Sequence, residues 1–111
     1  MGRRDYLTQT ELMVMLAIVR LGEDAYAVPI ATAIHERTGR EIATASIYAV
    51  LERLEDGGLV ESELGEATAM RGGRAKTYYR LTNTGLAQIR ETRHALQQMW
   101  RGLPRFKGRP T

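Results

Sequence analysis

The chain has no cysteine, which excludes a disulfide framework and a thiolate zinc site together. Its two histidines, His35 and His94, stand far apart in sequence, and no histidine pairs with a carboxylate at a catalytic spacing. Neither a metal nor any other cofactor is expected, and His94 reads as an exposed helix residue, not a pH sensor. No stretch approaches the roughly 18 uninterrupted apolar residues of a membrane span. The opening Met1-Gly2-Arg3-Arg4-Asp5-Tyr6 lacks the apolar core of a signal peptide, so the expected location is cytoplasmic, with no membrane partner. No phosphate-binding glycine loop opens a helix, because the glycines of Arg71-Gly72-Gly73-Arg74 precede a strand-like run. These absences leave an enzyme without chemistry to use.

What remains is a chain of 111 residues, 43% of them hydrophobic, enough for one domain with a modest core. The net charge of +3 is informative mainly through its placement. Arg71, Arg74, Lys76 and Arg80 fall between residues 65 and 80 with one acid, Glu66, and Arg101, Arg105, Lys107 and Arg109 follow later with none. Two basic zones on a slightly acidic remainder suit contact with a polyanion.

Thr8-Gln9-Thr10-Glu11 is a capping box, and Leu7 with Leu12 is the matching hydrophobic staple. The spacing predicts a first helix to about Leu21, burying Leu12, Met15, Leu16 and Val19 and ending at Gly22. A second helix follows Asp24-Ala25-Tyr26, tolerates Pro29 in its first turn, turns Ile30, Ala33 and Ile34 inward and stops at Gly39. A third spans about Thr44 to Asp56, with Ile47, Val50, Leu51 and Leu54 on one stripe. Its opposite face carries Ala45, Ser46, Ala49, Glu52 and Arg53, with Tyr48 at the boundary. The period then shortens to that of strands in Leu59–Leu64 and Lys76–Thr82, which should pair as a hairpin around a long loop, residues 65–75. A last helix starts near Thr84, capped by Thr82 or Asn83, and runs to about Gly102. Leu86, Ile89, Leu96, Trp100 and Leu103 form a near-heptad stripe on it, interrupted by Arg93. Three helices and a long-looped hairpin are the order of a winged helix-turn-helix domain.

The runs Ser46-Ile47-Tyr48-Ala49-Val50-Leu51-Glu52-Arg53-Leu54-Glu55-Asp56-Gly57-Gly58-Leu59-Val60 and Arg71-Gly72-Gly73-Arg74-Ala75-Lys76-Thr77-Tyr78-Tyr79-Arg80-Leu81-Thr82 resemble the PadR-type transcriptional regulators, specifically the short class with a single C-terminal dimerisation helix. The resemblance covers roughly residues 7–100. It implies a mainly α (α+β) fold divided into a winged helix-turn-helix domain at 1–82, a dimerisation helix at 83–103 and a flexible basic tail at 104–111. Three positions depart from the pattern. Ala25 and Ala45 replace a common Gly, and Ala43 replaces a Ser that would cap the recognition helix, a role Thr44 is expected to take over.

Function is expected to follow from these positions. Thr44, Ala45, Ser46 and Ala49 are small or polar enough to approach a major groove, Ser46 reaching a base edge and Thr44 a phosphate. Arg53 belongs to the same face, and the Tyr48 phenol either bonds a phosphate or pads the core. Arg71, Gly72, Gly73 and Arg74 would follow phosphates or enter the minor groove. Lys76, Tyr78 and Arg80 would extend that basic surface along one strand face. Leu12, Leu86, Ile89, Arg93, Leu96, Met99, Trp100 and Leu103 are the expected dimer interface, with Arg93 pairing to Glu11 or Glu91 or remaining solvated. Trp100 has two readings. It packs with Met99 and Leu96 against the first helix of the other subunit, or, as in some multidrug-responsive relatives, it forms with its twofold mate a slot for a small planar effector. The expected function is a sequence-specific, double-stranded-DNA-binding transcriptional regulator, a homodimeric repressor; the alternative is a winged-helix module that binds another protein and no DNA.

Overall fold

A computed structural model describes residues 6–65 and 76–104 of the chain. Helix α1 covers Gln9–Leu21. Its first turn is closed reciprocally, the Glu11 amide donating to Thr8 Oγ1 at 3.1 Å and the Thr8 amide to Glu11 Oε1 at 2.9 Å, so two otherwise orphaned donors are satisfied. A single 3-10 turn, Gly22–Asp24, leads into α2, Ala27–Thr38. Pro29 sits in the first turn of α2, where its missing N–H costs no helical bond. Gly39 ends α2 with φ +78, a left-handed conformation that glycine adopts without steric penalty. Helix α3 covers Thr44–Asp56.

The three helices enclose a core in which Met15, Ile30, Ile47, Leu51 and Leu54 are fully buried. The α3 stripe and the inward Ile30 and Ile34 fall where the 3.6-residue period puts them. In α1 the expected face is wrong. The buried residues are Val14, Met15, Ala17 and Ile18, whereas Leu16 and Val19 are 43% and 55% exposed and Leu12 is half-buried. Leu12 to Val19 is unbroken apolar sequence, so periodicity alone cannot select a face.

Strands β1 (Val60–Leu64) and β2 (Thr77–Leu81) pair antiparallel, with Val60 opposite Leu81 and Leu64 opposite Thr77. Val60, Tyr79 and Leu81 rest on the helical core. The outer edge of β2 is occupied by the chain before α2, since the Tyr79 amide donates to the Ala25 carbonyl at 2.8 Å; one more backbone donor is thereby paired, and an exposed strand edge is covered.

Helix α4 covers Asn83–Trp100 with Thr82 as its cap. Thr82 Oγ1 accepts the Gly85 amide at 3.0 Å and donates to the Gly58 carbonyl at 2.7 Å and that of Leu59 at 3.1 Å, and the Thr82 amide adds a bond to Leu59 at 3.0 Å. Gly85 lies so close that a Cβ there would overlap the Leu59 carbonyl oxygen. One turn of α4 is thus locked onto the start of β1. Further along, buried Thr92 accepts the Leu7 amide at 3.1 Å, joining α4 to the segment before α1.

Candidate nucleic-acid interface

The leading end of α3 presents Thr44, Ala45, Ser46, Tyr48 and Ala49 on its exposed side while Ile47 points into the core. The expected cap shift does not occur. Ala43 is the cap residue, extended at φ −61 and ψ 145, and no side chain caps the helix. The Ser46 and Ile47 amides both donate to the Ala43 carbonyl, at 2.9 and 3.1 Å, because the backbone leaves Thr44 already inside the helix, where its hydroxyl cannot reach back as a cap. The first turn of α3 also carries no acidic residue, so the positive end of the helix dipole is left without a local counter-charge. Tyr48 is 50% exposed, which removes the reading of its ring as core padding.

Arg53 is about two and a half turns beyond Thr44 and tied elsewhere. Its Nε lies 3.4 Å from Glu11 Oε2, joining α3 to α1 across a carboxylate that also caps α1. Within one copy Glu11 is therefore engaged by Arg53 and the Thr8 amide.

The base of the hairpin loop is closed by the Gly65 and Lys76 backbones. The Gly65 amide donates to the Lys76 carbonyl at 2.7 Å, and Gly65 admits the Tyr78 ring so closely that a Cβ would come within 2.6 Å of it. Tyr78 meets Tyr26 edge-on, centroids 5.3 Å apart, and the Lys76 ammonium sits 4.9 Å over the Tyr26 ring, a cation–π contact that fixes its position without neutralising it. The loop leaves and re-enters beside this cluster. Arg71, Gly72, Gly73 and Arg74 lie outside the described residues.

The expected basic strand face is corrected at Arg80. Glu61, directly across the ladder, receives Arg80 Nε at 3.0 Å, and Glu63 lies 3.7 Å from Nη1. The hydrogen bond that Arg80 donates to Glu61, and then the Glu61 charge, hold the guanidinium more firmly protonated than usual. The face carrying Tyr78 and Arg80 is thus acidic on balance at β1, and among the described residues of this face Lys76 is the one cation without a carboxylate partner. On the other face burial, then the neighbouring Glu55, Tyr48 and Glu52, push the Tyr79 phenol above its ordinary value, so it stays neutral beneath the core.

Along α4 the expected interface divides. Ile89 packs against the core of its own chain, while Leu86, Leu96, Met99, Trp100 and Leu103 are exposed, Trp100 by 65% and Met99 by 76%. Arg93 is exposed among them. Thr82, Gly85, Thr92 and Tyr26, which hold α4 and the hairpin in place, were not foreseen as positioning residues; only the capping role of Thr82 had a local signature.

An α+β body of three helices and an antiparallel hairpin, continued by a fourth helix, defines the winged-helix class. The chain belongs to the transcriptional regulator PadR-like family, whose description matches residues 15–91. Among solved structures it is similar to a PadR family transcriptional regulator from Eggerthella lenta, at 28% identity over 84% of this chain and 79% of that one, with a TM-score of 0.67. It is also similar to a PadR-like transcription factor from Bacteroides fragilis, at 26% identity over 81% and 82%, with a TM-score of 0.68. A transcriptional regulator from Clostridium thermocellum shares the fold at 20% identity over 85% and 91%, TM-score 0.68. No match is found among curated proteins. The protein is a transcriptional regulator, of a family whose members are not enzymes. Among the described residues no helix is long and apolar enough to cross a membrane.

Proposed function

We propose that the protein is a homodimeric, sequence-specific repressor that binds double-stranded DNA through residues 1–82 and dimerises through residues 83–103. The observation that carries the reading is the exposed, uncapped leading end of α3 with Thr44, Ala45, Ser46 and Ala49 on its surface. Small side chains let the helix approach base edges, the Ser46 hydroxyl supplies a hydrogen bond, and the amides of the first turn together with Thr44 and Tyr48 suit phosphate oxygens. Lys76, held beside the loop, and Arg71 and Arg74 within it add phosphate or minor-groove contacts that strengthen binding more than they select sequence. Arg53, half-compensated by Glu11, contributes less.

The dimer reading rests on two apolar surfaces that one copy leaves uncovered. Leu16 and Val19 on α1 with Leu86 at the start of α4 form one, and Leu96, Met99, Trp100 and Leu103 at its far end form the other. A twofold axis that crosses two α4 helices antiparallel sets the first surface of each copy against the second of its mate. Trp100 is assigned to that seat on α1 rather than to a planar effector. Repression then follows from occupancy of an operator, with two α3 helices in successive major grooves.

Selection from random duplexes tests the proposal. It should recover a roughly palindromic site with half-site centres about 10 bp apart or a multiple of that. Ser46→Ala should relax preference at one base position per half-site, by about 1–3 kcal/mol. Recovery of no preferred duplex would contradict the reading.

A further inference from the structure

A groove of about 600 Å³ opens between the end of α1, the outer face of the hairpin and the first turn of α4. Val19 and Leu86 contribute to its apolar lining, and Glu23, Glu61 and Glu63 bring three carboxylates to it against one guanidinium, Arg80. Arg80 is already shared between Glu61 and Glu63, and Glu23 has no ion-pair partner among the described residues. A surface of this kind is complementary to an apolar, cationic segment.

The chain contains one. Residues 101–109 carry Arg101, Arg105, Lys107 and Arg109 around Leu103 and Phe106, with no acid among them. To reach the groove of its own copy this segment would have to double back along α4, about 21 Å from Trp100 to Leu86 at 1.5 Å per residue, a span its nine residues, about 30 Å when fully extended, cover only by giving up most of their length to the return. In the antiparallel arrangement of α4 helices, however, the end of one helix arrives beside the first turn of the other. We propose that the groove is the docking site for the basic segment 101–109 of a second copy, so that each α4 is fastened at its far end by charge as well as by its apolar stripe. The inference rests on the dimer reading above and adds to it a site, an occupant and a salt dependence.

Sedimentation equilibrium on the full chain tests it, with circular dichroism confirming that each variant folds. One variant carries Arg105→Glu, Lys107→Glu and Arg109→Glu. A second carries Glu23→Lys and Glu63→Lys, both exposed positions whose exchange leaves the Arg80–Glu61 contact in place. The third combines all five. At about 0.1 M salt each charge reversal should raise the dimer dissociation constant by roughly five- to tenfold, the sum of a few surface ion pairs. The combined variant should return to within about twofold of the parent, and the differences should shrink at about 1 M salt. A dimer whose dissociation constant neither reversal moves, or a combined variant weaker than both, overturns the docking and leaves the dimer reading intact. So does a tail reversal that lowers affinity for DNA alone, which places the segment on the duplex. A parent chain that is monomeric throughout overturns both.

Discussion

The three-helix body and the far half of α4 differ in what a single copy can bury. In the body, Met15, Ile30, Ile47 and Leu51 are withdrawn from water entirely, and the hairpin closes one side. Beyond Thr92, the last buried residue of α4, the apolar side chains Leu96, Met99 and Trp100 are 47%, 76% and 65% exposed. A helix stabilised by packing on one half and by little but its own backbone bonds on the other is incomplete alone. The proposed division, fold stability in the body and assembly in the far half, rests on this contrast, and four substitutions test it.

The largest effect belongs to the body. Leu51→Ala should lower unfolding free energy by about 3 kcal/mol, lost burial plus the cavity left behind, measured by urea denaturation at fixed protein concentration. An effect as large at Trp100 would erase the distinction. At the junction, Gly85→Ala should cost about 2 kcal/mol, because the added methyl meets the Leu59 carbonyl and α4 must shift; hydrogen exchange should locate the loosening at Thr82 to Leu86. In the far half, Trp100→Ala should leave the circular dichroism of the body unchanged and raise the dimer dissociation constant by about tenfold or more, as loss of a central aromatic anchor does. Loss of folded signal instead would show that Trp100 serves its own chain.

The smallest effect is a pH dependence at the hairpin. Tyr79 has a folded-state pKa raised above the ordinary value of 10.0. The unfolded chain therefore loses its phenolic proton first, and the stabilisation present below about pH 10 declines as pH rises from there through the folded-state value. Tyr79→Phe should flatten the alkaline slope of stability; an unchanged slope would mean that other groups carry it.

Features specified by neighbouring residues were legible before the structure. The Thr8–Glu11 capping box, the limits of α3 at Thr44 and Asp56, the pairing of the two strands and a cap at Thr82 or Asn83, of which the structure uses Thr82, each depend on a few adjacent side chains or on one clear period. The face of α1 was not legible, because eight successive apolar residues offer the core a choice that only α2, α3 and the hairpin resolve. Gly85 and Thr92 were also invisible: their roles arise from approaches to Leu59 and Leu7, 26 and 85 positions away. The charge of β2 was misread for the same reason, since Glu61 and Glu63 become partners of Arg80 only through the register. At the candidate site, the exposed leading residues of α3 follow directly from the buried stripe opposite them, whereas the compensation of Arg53 by Glu11 required knowing how α3 crosses α1.

The central claim is that the body engages DNA through α3 and the hairpin loop. Fluorescence anisotropy with the selected duplex, across a salt series, tests it on the parent chain beside an Arg71→Ala, Arg74→Ala variant. The account predicts tight binding by the parent and, for the variant, weaker binding with a log–log salt slope shallower by about two, one for each lost phosphate contact. Equally weak binding by both proteins, with no preference for the selected duplex over a scrambled one, would contradict it.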